Sequence, residues 1–485
     1  MWHWLRKLLS KSKAKTLEKI LRYPEGKRIY PDFHGIRRHM IDPDATKVVS
    51  RLQQHGYKAY IVGGSIRDLL LERQPKDFDV VTNARPNDVR KLFANSRLIG
   101  RRFRLVHIVF RGSKIVEVST ARSLPESRFR SKKKDELMLK RDNQYGTFKE
   151  DAARRDFTIN SLFFDLRNET LIDYTGGYED IQEKIIRVVG DPEISLPEDP
   201  VRMLRAAKFA ALLNFNMDPS LKKAIGKYRH LISRASRARL HEEYNKIFRT
   251  GQSTKIFAIL AELGLLEAMF PQIYRASFHQ TSPVPESEFY KYPLGKRLAI
   301  ADKMILEHED INTTIYYAIL TADLCNLPLQ PSVDEKNFVD RELEKQWREA
   351  LSLVEEELGL SRREKERLIE IFASQNVFLR DAQDRRGWVR DFRQQDYFLE
   401  SFIFYKIQAR ASERSDLIQK ALFWEIDIRK KLPDAIKKIT QKSIHLERGK
   451  STQARNTRYK NHLRTEKSEE RYEKSLDDGQ ETLPY

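Results

Sequence analysis

Asp77 and Asp79 stand either side of a single phenylalanine, and Gly63-Gly64-Ser65-Ile66-Arg67-Asp68 runs shortly before them. Two apart on a strand, both carboxylates point to one face and Phe78 to the other. Neighbouring carboxylates repel unless a cation lies between them. A hard divalent ion such as Mg²⁺ takes oxygen ligands, and a pair of such ions serves phosphoryl transfer. The two glycines close an apolar run, and a helix follows at once. Glycine lets backbone approach a phosphate closely, and a helix N-terminus offers free N–H groups. Arg67 adds a planar fork of donors suited to a triphosphate. Asp-Phe-Asp by itself reads as a solvated turn. Its place just after the glycine run favours the chemical reading.

Three further clusters carry reactive types. Leu98-Ile99-Gly100-Arg101-Arg102-Phe103-Arg104-Leu105-Val106-His107-Ile108 opens a hairpin whose second strand holds Glu117. Glu117 is either a third carboxylate beside the aspartates, if the strands are neighbours, or a partner of Arg122. His107 either meets substrate or is a satisfied sheet residue. In Arg154-Arg155-Asp156-Phe157-Thr158-Ile159-Asn160, Asp156 suits a helix N-cap. Its functional reading puts Arg155 on a nucleotide and Asp156 on a ribose hydroxyl or near metals. In Glu198-Asp199-Pro200-Val201-Arg202, Asp199 as N-cap and Pro200 as first helical residue mark a helix start. Asp199 and Arg202 then share an exposed face, an acceptor and a donor fork fit for a base's Watson–Crick edge.

The elements that must position these groups follow from periodicity. Strands are expected at Tyr57–Val62, Asp77–Val81, Phe103–Phe110 and Lys114–Thr120, the last two turning at Gly112-Ser113. Helices are expected from Ser65 to Leu71 and over Pro86–Ala94. Residues 128–148 read as a mobile basic loop. After Asp156 helices take over, with examples at Val201–Leu213, Lys255–Leu265 and Phe398–Ile407. The fold class is therefore α+β: a small head of mixed sheet and helices, a long all-helical body and a disordered basic C-terminal tail. The expected divisions are a basic extension at 1–42, the head at 43–190, a helical neck at 191–270, the body at 271–440 and the tail at 441–485.

Lys and Arg number 90 against 70 Asp and Glu, a formal charge of +20, which points to an anionic partner. The excess gathers in residues 1–17, 128–141 and 437–464. Hydrophobic residues, at 40%, exclude a wholly disordered chain. A single cysteine, Cys325, excludes a disulfide framework and a structural cysteine zinc site, and suggests a reducing compartment. No apolar run is long enough to span a membrane. Residues 1–23 alternate apolar and basic types. They fit a membrane surface, RNA, a transit peptide or a helix docked on the protein itself.

The run Gly63–Asp79, with Arg154–Asn160, Asp173-Tyr174-Thr175-Gly176-Gly177 and Glu198–Arg205, resembles the class II nucleotidyltransferases. These comprise the bacterial poly(A) polymerases and the tRNA CCA-adding enzymes. The resemblance covers about residues 34–215. The string Leu98–His107 looks like the poly(A) polymerase signature, and His34-Gly35-Ile36-Arg37-Arg38 resembles the segment ahead of their head domain. Ser65 stands where a third glycine is common. The resemblance implies a cytoplasmic, monomeric polynucleotide adenylyltransferase. It would add AMP from ATP to RNA 3′ ends and release pyrophosphate. It implies two Mg²⁺ ions on Asp77 and Asp79, with Mn²⁺ able to substitute, and Gly63, Gly64 and Arg67 around the triphosphate. Asp156 would be a third essential acid and Arg155 would touch the nucleotide. Glu198, Asp199 and Arg202 would select the base. The alternatives are a CCA-adding enzyme and an inactive RNA-binding relative.

Overall fold

The computed structural model describes residues 15, 17–100, 104–124, 144–278, 283–327, 341–379 and 391–431. Arg101, Arg102, Phe103, the loop at 128–141 and the tail expected from 441 lie outside the described residues. So do residues 1–14 of the amphipathic N-terminal stretch.

Two compact units divide the chain. The first holds Met1–Ile247, Gln252–Gly295 and Val354–Gly359, and the second holds Phe248–Gly251, Lys296–Leu353 and Leu360–Tyr485. In the first, eight short strands form one mixed sheet: β1 (Lys27–Ile29), β2 (Ala59–Val62), β3 (Asp79–Thr82), β4 (Ser96–Ile99), β5 (Leu105–Val109), β6 (Ile115–Thr120), β7 (Leu162–Asp165) and β8 (Thr170–Asp173). The order is β1-β8-β7-β2-β3-β6-β5-β4. Only β3 and β6 run parallel, with Val80 opposite Val118; the other pairs are antiparallel.

Helices pack against both faces of the sheet. α1 (Pro43–Gln54) starts where Asp42 accepts from the backbone N–H groups of Asp44 and Ala45, and it buries Ala45, Val48, Val49 and Leu52. α2 (Gly64–Leu70) follows β2, and α3 (Pro86–Leu92) packs on β4 and β5. On the face opposite α1 lies α4 (Phe148–Arg154), fixed by a reciprocal Thr147–Glu150 capping box. There Ala152 joins Tyr60, Val62, Val81 and Phe163 in one cluster. Leu17 and Leu21 pack on Leu124 and Ala153, so this part of the N-terminal stretch docks on its own unit. Beyond the sheet come α5 (Pro192–Glu198), α6 (Val201–Leu213) and α7 (Arg237–Phe248).

The second unit is helical throughout its described residues: α8 (Thr313–Thr321), α9 (Arg362–Ala373), α10 (Phe398–Ala411) and α11 (Ser415–Lys431) are among its helices. Phe378, Phe398, Tyr405 and Trp424 form an aromatic core. Cys325, in the same unit, is buried, and the Trp347 indole donates to its carbonyl at 2.9 Å.

Several expectations change. Helices do not take over directly after Asp156, since β7 and β8 follow and pair with β2 and β1. Leu162–Asp165 is buried at every position, so it lacks the alternation that marks a strand. Strand β3 begins at Asp79, which leaves Asp77 outside the strand, two residues ahead of it. Helix α2, after the glycine turn, starts at Gly64 rather than Ser65. The expected hairpin of β5 and β6 forms, with its turn at Arg111–Ser113.

Candidate active site

The end of β2 sets the geometry. Gly63 has φ 85° and ψ −136°, a conformation that costs a side-chain-bearing residue strain. A Cβ there would come within 3.5 Å of the Arg155 guanidinium. Val62 pairs with Asp79 across the sheet, which brings the glycine turn beside the first residue of β3. The parallel register puts Glu117 next to Asp79, because Val80 faces Val118 one residue on. Glu117 is thus a neighbour of the aspartates, and its antiparallel partner His107 lies 3.4 Å from it (Nε2 to Oε2).

Asp79 is exposed on one side, yet its carboxyl is pushed up to about 7. The largest cause is loss of water around it in the cleft, followed by the charges of Glu117 and Asp77; Arg155 pulls the other way. Like-charged oxygens crowded at one point suit a hard divalent cation. Among the described residues no three His, Cys, Asp or Glu side chains form a preformed cage.

Arg155 ends α4. Its Nη2 and Nε donate to Asp151 at 2.9 and 3.2 Å, and its guanidinium lies 5.5 Å from the Phe163 ring centre. Arg67 is buried. Its Nη1 donates to Asn160 Oδ1 at 2.7 Å, and its Nε and Nη2 donate to Asp68 Oδ1 at 2.9 and 2.7 Å. The fork expected to face a triphosphate is therefore spent on the protein, where it ties α2 to the Arg154–Asn160 motif.

Asp156 caps no α-helix. A short 3₁₀ turn, Thr158–Asn160, follows it. Its Oδ1 accepts from the Phe157 N–H and the Asn160 amide, and its Oδ2 accepts from Arg205 Nε at 2.7 Å. Burial works against its charge, but the Arg205 guanidinium outweighs it and holds the carboxyl down at about 2. Arg205 reaches on to Glu243 at 2.8 Å, and Lys208 donates to the other Glu243 oxygen. The ring of Phe209 lies 5.1 to 5.3 Å from the cationic groups of Arg67, Arg205 and Lys208.

The Glu198–Arg202 motif departs most from expectation. Pro200 occupies the cap position of α6, and Asp199 makes no cap bond. Glu198, Asp199 and Arg202 are all buried rather than on an exposed face. Asp199 is gripped by both arms of Arg239, Nη1 to Oδ1 at 2.8 Å and Nη2 to Oδ2 at 2.7 Å. Arg202 Nε lies 3.9 Å from Asp199, while its Nη groups donate to Ser195 Oγ and the Arg154 carbonyl. Sequence reasoning missed Arg239 and Glu243, both on α7, and gave no part to Arg205. Only Arg205 carried a local signal: it lies three residues after Arg202, on the same side of α6.

Comparison with known proteins agrees with this architecture. The family described as "Poly A polymerase head domain" matches residues 59–187, and that described as "Probable RNA and SrmB- binding site of polymerase A" matches residues 214–276. Poly(A) polymerase I of Haemophilus influenzae is 39% identical over 314 residues, which cover 64% of this chain and 68% of that protein. The chain belongs to the poly(A) polymerase family. Poly(A) polymerase I of Salmonella typhimurium is 45% identical over 277 residues, 56% of this chain. The chain spans 59% of the length of that relative. A CCA-adding enzyme of Lactobacillus helveticus is 37% identical over 223 residues, 46% of this chain and 54% of that protein. Among solved structures, an apo CCA-adding enzyme (form II) shares the fold with a TM-score of 0.59 at 19% identity, covering 83% of this chain and 87% of that one.

Proposed function

We propose that this poly(A) polymerase family member is a template-independent polynucleotide adenylyltransferase, acting as a cytoplasmic monomer on RNA 3′ ends with ATP. The observation that carries the reading is the packing of Asp79 between the Gly63 turn, Glu117 and Arg155. Identity to relatives named Poly(A) polymerase I, at 39 to 45%, supports adenylate addition over CCA addition, whose relatives reach 34 to 37%.

In the reaction the RNA 3′-oxygen forms a bond to the α-phosphorus of ATP. The bond from that phosphorus to the bridging oxygen of the pyrophosphate breaks, and the hydroxyl proton is released. Asp77 and Asp79, with Glu117 alongside, would hold a divalent cation, proposed as two Mg²⁺ ions replaceable by Mn²⁺, which would activate the hydroxyl and neutralise the leaving group. The backbone of Gly63 and Gly64 lines the phosphates, and Arg155 faces the nucleotide. Arg67 holds Asn160, and through it Asp156, in place. Asp156 anchors Arg205 or meets the ribose. Asp199 and Arg202, beside Glu198, read the base once Arg239 yields or shares the carboxylate. No general-base histidine is required.

The test is incorporation of each nucleoside triphosphate singly, with Mg²⁺ and with Mn²⁺, on an oligoadenylate and on a tRNA ending before its CCA. Long tails from ATP alone are expected on the oligoadenylate. Cytidine addition followed by one adenosine on the tRNA would replace the reading with the CCA rival, and no incorporation with either metal would replace it with an inactive relative. Asp77→Ala or Asp79→Ala should lower turnover by about a thousandfold while the circular dichroism spectrum is kept.

A further inference from the structure

Strands β4, β5 and β6 show two unlike faces. One is packed by Val106, Ile108, Val116 and Val118, against which α1 and α3 lie. The other looks outward and carries Arg97, Ile99, Leu105, His107, Val109 and Ile115, all exposed or only half-buried. Ile99 keeps 42% and Ile115 47% of its surface in solvent. An antiparallel sheet with one solvated side normally alternates apolar-in and polar-out. Here Ile99, Leu105, Val109 and Ile115 stand outward among Arg97, His107, Glu117 and Ser119, and this mixture of aliphatic and polar side chains marks a surface for a ligand.

The register connects this face to the carboxylates. Directly paired residues share a face, and the pairs run Asp79, Glu117, His107, Arg97 in a straight row across β3, β6, β5 and β4. With strands about 4.8 Å apart, the row spans about 14 Å from Asp79 to Arg97. Its charge changes from acidic at the reacting end to cationic at the outer edge. α4 and its cluster cover the same side of the sheet over β2, β3 and β7.

We propose that the outward face of β4–β6 is the track for the last nucleotides of the single-stranded RNA primer. It rests on the adenylyltransferase reading above and adds to it the place of the primer. The terminal hydroxyl lies at Asp79. Leu105 and the His107 ring offer stacking surface to the preceding bases, and Arg97 takes a backbone phosphate. Stacking on side chains with phosphate neutralisation holds RNA with little regard to base, as a tailing reaction on varied ends requires. A protein partner on this face would have no reason to meet a charge gradient that ends on the reacting carboxylates.

The test uses the full-length protein and an oligoribonucleotide primer. Arg97→Glu should raise the KM for RNA about tenfold and leave the KM for ATP within about twofold. Arg97→Lys should restore most of the RNA affinity. Lys91→Glu, a charge reversal on α3 behind the sheet, should change the RNA KM by less than about threefold. In the wild type, 4-thiouridine at the penultimate primer position should photocrosslink within residues 96–109. Equal effects of the Arg97 and Lys91 reversals, an unchanged RNA KM in Arg97→Glu, or crosslinks that avoid this segment would each overturn the track. Each of these is read against a wild type that turns over. A wild type that adds no adenylate instead overturns the underlying function.

Discussion

Asp79 is held in a state that favours its own protonation. Its carboxyl titrates near 7 in the folded chain, far above the value in an unfolded one. Below about pH 4 both states are protonated and no penalty exists; as pH rises through 7 the penalty grows to its full size. Asp79→Asn should therefore raise the melting temperature at pH 8 in EDTA, by about 2 °C after allowing for the exposed position, and leave it unchanged at pH 4. Asp156 has the opposite sign. Its carboxyl sits at about 2, so it stabilises the fold above about pH 4 and loses that contribution as pH falls towards 2. Asp156→Asn should cost about 2 kcal/mol in urea unfolding at pH 7, with a smaller difference from wild type at pH 3. Both residues were legible in the sequence, because Gly63, Asp77 and Asp79 lie in one short stretch and Asp156 in another. The partner of Asp156 was not: Arg205 lies 49 residues further along the chain, and no local pattern joins the two.

Two sets of ion pairs fasten helix α7 to the site. Arg239 holds Asp199 ahead of α6, and Glu243 holds Arg205 and Lys208 on it. Glu243 is buried, so Glu243→Gln would leave Arg205, Lys208 and Lys246 facing one neutral amide. We expect a loss of about 3 kcal/mol, seen as a lower urea midpoint with an unchanged slope. The helices and the β5–β6 hairpin were legible because their signals are local: caps, a 3.6-residue period and a Gly-Ser turn. The sheet order was not. Pairing of β3 with β6 depends on chain that leaves and returns, and β7 has no alternation because it is buried on both sides. The start of α6 was placed one residue early because Asp-Pro reads as cap and first turn, while the carboxylate is drawn to Arg239 instead.

At the scale of the chain, the excess positive charge gathers in residues 1–17, 128–141 and 437–464, most of which lie outside the described residues. Residues 437–464 hold nine basic side chains and one acid. Removing 437–485 should weaken RNA binding at low salt and leave ATP binding alone. For every phosphate no longer neutralised, the log–log slope of affinity against salt should flatten by about 0.7, measured by filter binding between low and moderate salt. The mixed-sheet head and the long run of helices were readable from the switch in periodicity. Cys325 has a practical corollary. Burial pushes its thiol up to about 12, so at neutral pH almost none of it is thiolate, and the side chain is shielded. The native thiol should therefore react with maleimides far more slowly than an exposed one. One cysteine placed at exposed Arg111, on the turn between β5 and β6, would take a single dye without prior removal of the natural thiol.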